Sequence, residues 1–366
     1  MFNSFYRNKR VLVTGHTGFK GGWLSLWLWK LGARVWGISL PPPTTPNLYD
    51  TFRTEVFSGE AECDIRNLDR LIAALKPAQP DIIFHLAAQP IVRRSYEEPL
   101  ETFQTNALGT ANLLEAVRRA ALPCPVIVIT SDKCYENREW EYAYRETDPL
   151  GGHDVYSMSK AAAELVANAW HRSFFRPNPK LGPVATARAG NVIGGGDYAQ
   201  DRIVPDGVRA LVDKQPIPVR NPSAIRPWQH VLECISGYLW LGARLAAQPK
   251  TSPLASSFNF GPEPSARQPV RRLVEEILLS WPGEWKDASA PGSPHEAMLL
   301  SLSIEKAGAL LNWYPAWDFK EAVRRSVLWY YQRHVTGDPK MLDFSSSQID
   351  GYVEAAQHKN LDWAKE

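Results

Sequence analysis

An acid and a base stand side by side at Asp132 and Lys133, directly after an apolar run, in the stretch VITSDKCYEN from Val128 to Asn137. A buried strand that ends in such a pair delivers two ionisable groups to the edge of a sheet. Groups of this kind act as general acid and general base when both lie within hydrogen-bond reach of the reacting atoms. The pair therefore predicts proton transfer to or from a substrate. The alternative is an exposed loop pair without chemistry.

A second pair of reactive side chains is spaced i and i+4 in GGHDVYSMSKAAAELVANAW, at Tyr156 and Lys160. On a helix these residues share one face. The lysine ammonium can stabilise a tyrosinate and hold a cofactor ribose, and we expect it to bring the phenol pKa, ordinarily about 10, closer to neutral. The spacing is common on surface helices. It gains weight because Ser131 ends the preceding strand and because a glycine-rich loop lies upstream.

That loop is TGHTGFKGGW, in which Gly15, Gly18 and Gly21 follow the first apolar strand and open a helix. Glycines at these positions allow a tight turn and a close approach of the backbone to a pyrophosphate, whose charge the helix N-terminus attracts. The position of the loop predicts dinucleotide binding. His16 and Lys20 within it are either solvent-facing or in contact with phosphate.

The acid that commonly grips the adenosine ribose at the end of the second strand is absent, because that region reads VWGISLPPP. No arginine follows the strand to receive a 2′-phosphate. Asp64 follows the third strand and could contact the adenine. We therefore predict NAD, held loosely.

The elements that must position these groups alternate between strand and helix through the first half of the chain. Helical spacing marks Trp23 to Leu31 and Asn106 to Ala121. Strands that are buried on both faces are short and β-branched, and the runs of this kind are Arg10 to Thr14, Ala33 to Ser39, Asp81 to Leu86 and Val126 to Thr130. This order predicts an α/β fold, a Rossmann-like doubly wound parallel sheet with a smaller α/β substrate-binding domain.

Composition shifts toward Pro, Gly, Arg and Trp after about Gly182, which suggests a domain boundary. We expect an NAD-binding domain over residues 1–182, to which a segment at about 230–262 returns. A smaller substrate-binding domain is expected over 183–335. Residues 336–366 are expected to form a surface tail that ends in a short helix.

Composition also narrows the class of protein. The chain has 366 residues, 44% hydrophobic, and its 41 Lys+Arg against 39 Asp+Glu give a net charge of +2, unlike a nucleic-acid binder. No apolar run reaches the roughly 18 residues that span a bilayer, and the N-terminus lacks signal-peptide features, so we expect a cytoplasmic protein. The four cysteines lack the spacing of a metal site, and we predict none.

Taken together, these motifs resemble the extended short-chain dehydrogenase/reductase superfamily from Val11 to about Gly261. The resemblance rests on the glycine loop, FHLAAQ at Phe84 to Gln89, the Ser131/Tyr156/Lys160 set, and RAGNVIGGGD at Arg188 to Asp197. It implies that Tyr156 is the base toward a sugar hydroxyl, that Ser131 hydrogen-bonds the same oxygen, and that Lys160 binds the nicotinamide ribose. The NAD contacts that it implies are Gly15, His16, Thr17, Gly18, Phe19, Lys20, Gly21, Asp64, Ile65, Leu86, Ala87, Ala88, Gln89, Asn106, Tyr156 and Lys160.

Within the superfamily the sequence looks like the nucleotide-sugar 4,6-dehydratases, which carry an Asp-Glu pair where Asp132 and Lys133 stand. Once C4 of a hexose is a ketone, the C5 proton becomes acidic, and loss of water across C5 and C6 needs a base and an acid. By resemblance Asp132 is the acid and Lys133 the base. A lysine base requires a pKa well below its ordinary value of about 10.4; otherwise Lys133 acts electrostatically and another residue or a water is the base.

Five separated motifs, GHTGFKG, SDKCYENREW, DPLGGHDVYSMSK, RAGNVIGGGD and RPWQHVLE, resemble the branch that acts on CDP-glucose. The resemblance implies a diphosphate site built from Asn191, Arg202, Arg220 and Arg226. It also implies a homodimer or a dimer of dimers, paired through the helices that contain Asn106 and Tyr156. The alternatives are a nucleotide-sugar 4-epimerase, a dehydratase for another nucleotide hexose, and a non-catalytic NAD sensor.

Overall fold

The computed structural model describes residues 1–289 and 299–365. Within these residues the strands are β1 (Arg10–Thr14), β2 (Arg34–Ser39), β3 (Phe57–Glu62), β4 (Ile82–His85), β5 (Val126–Ile129), β6 (Val184–Arg188), β7 (Val192–Ile193), β8 (Ile217–Val219), β9 (Ile225–Pro227), β10 (Gln229–His230), β11 (Ser257–Asn259), β12 (Arg267–Pro269) and β13 (Trp285–Asp287).

The α-helices between and after these strands are α1 (Phe19–Lys30), α2 (Arg53–Val56), α3 (Leu68–Ala78), α4 (Val92–Glu97), α5 (Pro99–Phe103), α6 (Gly109–Arg119), α7 (Val155–Trp170), α8 (Ile203–Val212), α9 (Val231–Ala246), α10 (Val270–Ser280), α11 (Glu305–Leu311), α12 (Phe319–Tyr331) and α13 (Met341–His358). A π-helical turn at Gln104–Leu108 precedes α6, and a 3-10 turn at Asp132–Cys134 follows β5.

Seven parallel strands form the main sheet in the order β11-β6-β5-β4-β1-β2-β3. The chain winds from β1 toward β3 in one direction and from β4 toward β11 in the other. The carboxyl ends of β1 and β4 therefore flank the point where the winding reverses, which is where ligands bind in sheets of this kind. The predicted doubly wound α/β fold is confirmed.

The central strands β1, β4 and β5 are buried on both faces, as the β-branched runs predict, whereas residues of the edge strand β3 alternate between half-buried and exposed. Val11 and Val13 face one apolar core with α1 and α9, whereas Leu12 faces a second core with α3 and α6. Side chains that alternate between faces thus find an apolar layer on each side. The carboxyl ends of the strands are held in fixed relative positions by this packing.

The second half of the chain is less regular, as its composition suggests. Three two-stranded sheets pair β10 with β7, β12 with β9, and β13 with β8. The boundary expected at residue 182 comes just before β6, which lies in the main sheet beside β5, and β11 completes that sheet. The dinucleotide-binding sheet therefore continues past the expected boundary.

The prediction of a surface tail over residues 336–366 is wrong. This segment contains α13, an 18-residue helix, and packs into the main core. Tyr352 and Trp363 are fully buried and stack on each other with ring centroids 5.5 Å apart. The apolar positions Met341, Ile349, Tyr352 and Ala356 share one helix face, so burial of that stripe drives the docking.

No helix within the described part of the chain is long and apolar enough to cross a bilayer. The described residues also contain no cluster of three or more His, Cys, Asp or Glu side chains that could hold a metal ion.

Candidate active site

The glycine loop after β1 has the geometry of a backbone cradle. Gly15 has φ +74°, and a Cβ there would lie 2.7 Å from the backbone nitrogen of Ala87. A Cβ on Gly21 would overlap the carbonyl of Gly15, whereas one on Gly18 would be tolerated at 3.4 Å. Glycine is required at the first and third positions because the turn folds onto β4 and onto α1. The cradle opens on the N-terminus of α1, and it fits the pyrophosphate of a dinucleotide.

The two open interpretations of His16 are both replaced by a third. The imidazole is buried, its Nε2 lies 2.7 Å from Oε1 of Glu60, and its ring packs over Gly37 in β2. Burial lowers its pKa, although Glu60 acts in the opposite direction. Residue 16 can therefore meet a phosphate only through its backbone. The Thr17 hydroxyl is likewise engaged in a hydrogen bond with the Ser39 hydroxyl, at 2.8 Å.

Lys20 differs from His16 and Thr17 because it faces a cavity. It lines a cavity of about 310 Å³ together with Ser131, Asp132 and Tyr156. Lys20 thus lines the same cavity as the predicted catalytic residues. Phe19, which begins α1, is partly buried.

On the predicted adenine side, Asp64 pairs with Arg66, with Nη2 and Oδ2 2.5 Å apart. The hydrogen bond from Arg66 lowers the pKa of Asp64. Ile65 is buried in the core under α3 and α6. Contacts of Asp64 and Ile65 with a cofactor stay a prediction.

The loop after β4, Leu86 to Gln89, is fastened to its neighbours. Leu86 and Ala87 donate backbone N–H groups to Thr14, at 3.1 Å to its carbonyl and 3.2 Å to its hydroxyl. Ala88 lies between these anchors and Gln89. The loop follows β4 at the reversal point of the sheet and therefore flanks the glycine cradle.

Asn106 and Gln89 are predicted to contact the cofactor, which stays a prediction, and the structure shows the Asn106 side chain bonded to the Gln89 backbone. The Asn106 amide accepts from the Gln89 backbone N–H at 2.8 Å and donates to the Gln89 carbonyl at 3.0 Å and to Ser159 at 2.9 Å. The Gln89 side chain donates to Ile91 and accepts from it. Asn106 thus ties the loop to α7, and its role is positioning.

Ser131, Asp132 and Lys133 occupy the 3-10 turn that follows β5. Ser131 Oγ donates to Asp132 Oδ1 at 2.9 Å and accepts the Lys133 backbone N–H at 3.2 Å. Asp132 is 3% exposed, whereas the Lys133 side chain is partly exposed and lines the cavity. The predicted acid–base pair therefore stands at one wall of the cavity beside Tyr156.

Tyr156 and Lys160 lie in the first two turns of α7, whose N-terminus is capped by Asp154 through the Ser157 N–H at 2.8 Å. Both side chains are buried, and Lys160 Nζ lies 6.0 Å from the centroid of the Tyr156 ring. Burial raises the pKa of Tyr156 to about 12, while a hydrogen bond with Ser131 acts in the opposite direction. Desolvation outweighs the lowering effects of Ser131 and Arg202, so the pKa of Tyr156 moves in the direction opposite to the expected one.

Lys160 itself is shifted in the other direction. Burial, followed by repulsion from Lys20, lowers its pKa to about 8. A lysine with a pKa near 8 loses its proton more readily than an ordinary lysine, so the charge of Lys160 depends on pH.

The four predicted substrate residues, Asn191, Arg202, Arg220 and Arg226, are brought together and line the same cavity. Arg202 Nη1 pairs with Asp197 Oδ2 at 2.7 Å. Asn191 donates its amide to Asp132 Oδ2 at 3.3 Å, so its side chain contacts the predicted acid, and its contact with a diphosphate stays a prediction. A second cavity of about 530 Å³ shares Lys133, Asn191, Arg202 and Arg226 with the first.

Sequence reasoning missed a buried hydrogen-bond network under the 3-10 turn Asp132–Cys134, which carries the predicted catalytic pair and is called the catalytic turn below. Arg188 donates to Glu164 at 2.7 Å and to the Tyr135 hydroxyl at 2.7 Å, and Thr130 donates to Glu164 at 2.5 Å. Arg188 and Glu164 are fully buried, so each charge requires the other. The network braces both ends of the turn. Glu164 was the available signal, because it lies four residues after Lys160 on α7 and so adds an acid to the face that carries Tyr156 and Lys160.

Two further residues that escaped prediction, Arg93 and Asp201, line the larger cavity. Arg93 stands in α4, and Asp201 lies in the connection between β7 and α8. Neither belongs to a motif.

A doubly wound parallel sheet, a glycine cradle at its reversal point and a Ser-Tyr-Lys set beside it define the extended short-chain dehydrogenase/reductase class. The family model described as GDP-mannose 4,6 dehydratase matches residues 12–253. The CDP-glucose 4,6-dehydratase of Salmonella typhimurium is 45% identical over 359 residues, covering 96% of this chain and 98% of that protein. The chain belongs to the nucleotide-sugar 4,6-dehydratase family, in the branch of the CDP-glucose 4,6-dehydratases.

More distant relatives agree with this placement. A dTDP-glucose 4,6-dehydratase of Xanthomonas campestris is 28% identical, with 87% of this chain and 92% of that protein covered. Among solved structures, the dTDP-glucose 4,6-dehydratase DesIV of Streptomyces venezuelae, with NAD and TYD bound, superposes with a TM-score of 0.75 at 23% identity, covering 90% and 99% of the two chains. That likeness shows the shared fold.

Proposed function

We propose that the protein converts CDP-glucose to CDP-4-dehydro-6-deoxyglucose, a net loss of one water. The observation that carries the proposal is the joint placement of Asp132 and Lys133 with Ser131 and Tyr156 on one cavity. A redox pair alone would interconvert an alcohol and a ketone. The ionisable pair beside it supplies what an elimination needs.

NAD is the cofactor that fits the site. The cradle of Gly15 and Gly21, where a Cβ would strike backbone, leaves room for a pyrophosphate beside the N-terminus of α1. Lys160 stands where it can hold the nicotinamide ribose. When bound, NAD supplies the electron-pair acceptor for the C4 alcohol and the donor for C6.

The residues of the chain divide the proton transfers between them. Tyr156 takes the proton of the C4 hydroxyl, with Ser131 hydrogen-bonded to the same oxygen. The resulting C4 ketone acidifies C5, Lys133 removes the C5 proton, and Asp132 protonates the departing C6 hydroxyl, which leaves as water. A proton returned to C5 completes the product after C6 is reduced.

Substrate binding falls to the arginines of the second half of the chain. A diphosphate carries negative charge that planar guanidinium groups match with paired hydrogen bonds. Arg202, Arg220 and Arg226 line the cavity next to the catalytic turn, which supports a diphosphate site there. Cytidine rather than another base is supported by the 45% identical relative.

We further propose that the protein works as a homodimer in the cytoplasm, where nucleotide sugars are made. Apolar side chains lie exposed on the helices expected to pair: Leu165 on α7 is 61% exposed and Leu108, just before α6, is 49% exposed. Light scattering on the purified protein tests the dimer, and a Leu165→Glu variant should shift the mass toward the monomer.

The activity is tested by incubating the purified protein with CDP-, UDP-, GDP- and dTDP-glucose, with and without added NAD. We expect CDP-glucose to give the 4-keto-6-deoxy product, with turnover that rises on addition of NAD. A product that keeps its C6 hydroxyl and differs only at C4 would indicate a 4-epimerase. A preference for another nucleotide sugar would change the assigned nucleobase, and the proposed elimination of water would be retained.

A further inference from the structure

A carboxylate pairs with two arginines that belong to distant segments of the chain and line different cavities. Asp201 Oδ1 lies 2.6 Å from Arg220 Nη1 and 3.4 Å from Arg93 Nη1. Arg93 is in α4, which follows β4 of the main sheet, whereas Arg220 follows β8 in the less regular second half. A single oxygen thus connects α4 with the segment that follows β8.

The position of this cluster matters because it belongs to both cavities. Asp201 lines the two of them, Arg93 lines the larger one, and Arg220 lines the smaller one. Both cavities also share Arg202 and Arg226. A negatively charged ligand in this space would therefore meet four guanidinium groups, two of which are already engaged by Asp201.

The pairs that Asp201 makes are easily exchanged. The side chains of Arg93, Asp201 and Arg220 are 36%, 35% and 38% exposed. Ion pairs at this exposure contribute little to stability, because water and salt compete with them. A diphosphate brings more charge than one carboxylate and can accept paired hydrogen bonds from each guanidinium. It is therefore the stronger partner for the same arginines.

We propose that Asp201 holds the place of a phosphate group, and that the diphosphate of a nucleotide sugar displaces it from Arg93 and Arg220. The inference rests on the proposed function and deepens it. Arg93 becomes a diphosphate ligand contributed by the cofactor-binding side, and Asp201 becomes an internal competitor. The exchange lowers the affinity for anions and leaves the affinity for an uncharged nucleoside unchanged.

The backbone at Asp201 allows a clean variant. Its φ is +62°, in the left-handed region that Asp and Asn tolerate better than other residues with a Cβ. Asp201→Asn keeps the shape and the backbone preference and removes the charge. Asp81→Asn is the matched control, because Asp81 pairs with Arg10 at 3.0 Å with 32% and 47% exposed side chains and lines neither cavity.

The test is calorimetric titration of the full-length protein with inorganic pyrophosphate, CDP and cytidine at low ionic strength. We expect Asp201→Asn to bind pyrophosphate and CDP about fivefold more tightly, since an exposed ion pair no longer competes. Cytidine binding and the Asp81→Asn control should match the wild type. In an Arg93→Gln background, the gain from Asp201→Asn should shrink.

Unchanged or weaker pyrophosphate binding by Asp201→Asn overturns the inference, as does an equal gain with and without Arg93. These outcomes are separate from failure of the proposed function. Pyrophosphate carries neither sugar nor base, so the exchange is tested even if the wild-type protein leaves CDP-glucose unchanged.

Discussion

Asn191, which follows β6, hydrogen-bonds Asp132, which follows the neighbouring strand β5: its amide nitrogen donates to Asp132 Oδ2 at 3.3 Å. Asn191 follows β6 with φ +50°, a left-handed conformation that asparagine tolerates. The preceding residue, Gly190, lies so close that a Cβ there would overlap the Asp132 carboxylate. The proposed acid is therefore positioned by the neighbouring strand as well as by its own.

Gly190→Ala tests this positioning. The added methyl group must push the Asp132 carboxylate away from its place, and we expect kcat to fall by about 100-fold, as small misplacements of a catalytic group do. Steady-state kinetics with CDP-glucose measures the loss. Gly207→Ala is the control, because a Cβ there would lie an ordinary 3.4 Å from Ile217. Equal kcat in the Gly190→Ala variant and the wild type would contradict the assignment.

Substitutions of the pair itself separate its two roles. Asp132→Asn cannot supply a proton, so we expect elimination to slow by about 100-fold or more while oxidation at C4 persists. Lys133→Met should abolish exchange of the C5 proton with deuterated water, again with C4 oxidation retained. Mass spectrometry follows the exchange, and absorbance of reduced NAD follows the oxidation. Should Lys133→Met keep C5 exchange, the base is another group, and the dehydratase assignment survives.

The pKa of Lys160 predicts how activity depends on pH. Its ammonium form is the active one, and its pKa is lowered to about 8 by burial and by Lys20. Activity should therefore fall as pH rises through about 8. Lys20→Met removes a like charge, so the descending limb of the kcat profile should move to higher pH at saturating NAD. Lys76→Met, on the exposed side of α3, should leave the limb in place. If the descending limb of the kcat profile does not move in Lys20→Met, repulsion from Lys20 does not lower the pKa of Lys160.

A buried carboxyl fastens the C-terminal helix. Glu233 in α9 accepts from the backbone N–H groups of Ala316 and Trp317 at 2.9 and 2.7 Å and from the Tyr352 hydroxyl at 2.6 Å. Burial raises its pKa from 4.5 to about 7. The folded state thus binds the proton more tightly than the unfolded state, so this contribution to stability is full below pH 4.5 and is lost as pH rises to 7.

Glu233→Gln removes this titration. Urea denaturation gives the free energy of unfolding of the wild type and of the variant at each pH. The wild-type value minus the variant value should decline between pH 4.5 and 7 and level off above that range. Buried His85 and His230, whose pKa values burial lowers to about 3, titrate in the opposite sense and cancel in the difference. A difference that does not change with pH would refute the shift.

The short apolar runs predicted β1, β2, β4 and β5 with the residues at their carboxyl ends, whereas no range was predicted for β3, β6 or β11. Short β-branched runs have few alternatives to a buried parallel sheet, and a parallel sheet brings all its carboxyl ends to one edge. Ser131, Asp132 and Tyr156 could therefore be placed in one site before any distance was known. The glycines were equally predictable, because their positions follow from the close approach of backbone to backbone.

Side-chain partners could not be predicted in the same way, because they depend on residues distant in the chain. The His16 side chain bonds Glu60, 44 residues away, and the Asn106 side chain bonds Gln89, and neither partner could be inferred from the local sequence. The desolvation that raises the pKa of Tyr156 depends on the assembled cavity. The docked helix α13 had a readable apolar stripe, whereas its anchor, Glu233, lies more than a hundred residues earlier in the chain.

The proposed transient oxidation at C4, which drives loss of water across C5 and C6, can be followed with CDP-glucose deuterated at C4. We expect a 4-keto-6-deoxy product that carries the deuterium at C6, because the electron pair removed at C4 returns to C6. Deuterium retained at C4, in a sugar that keeps all its oxygens, would contradict it.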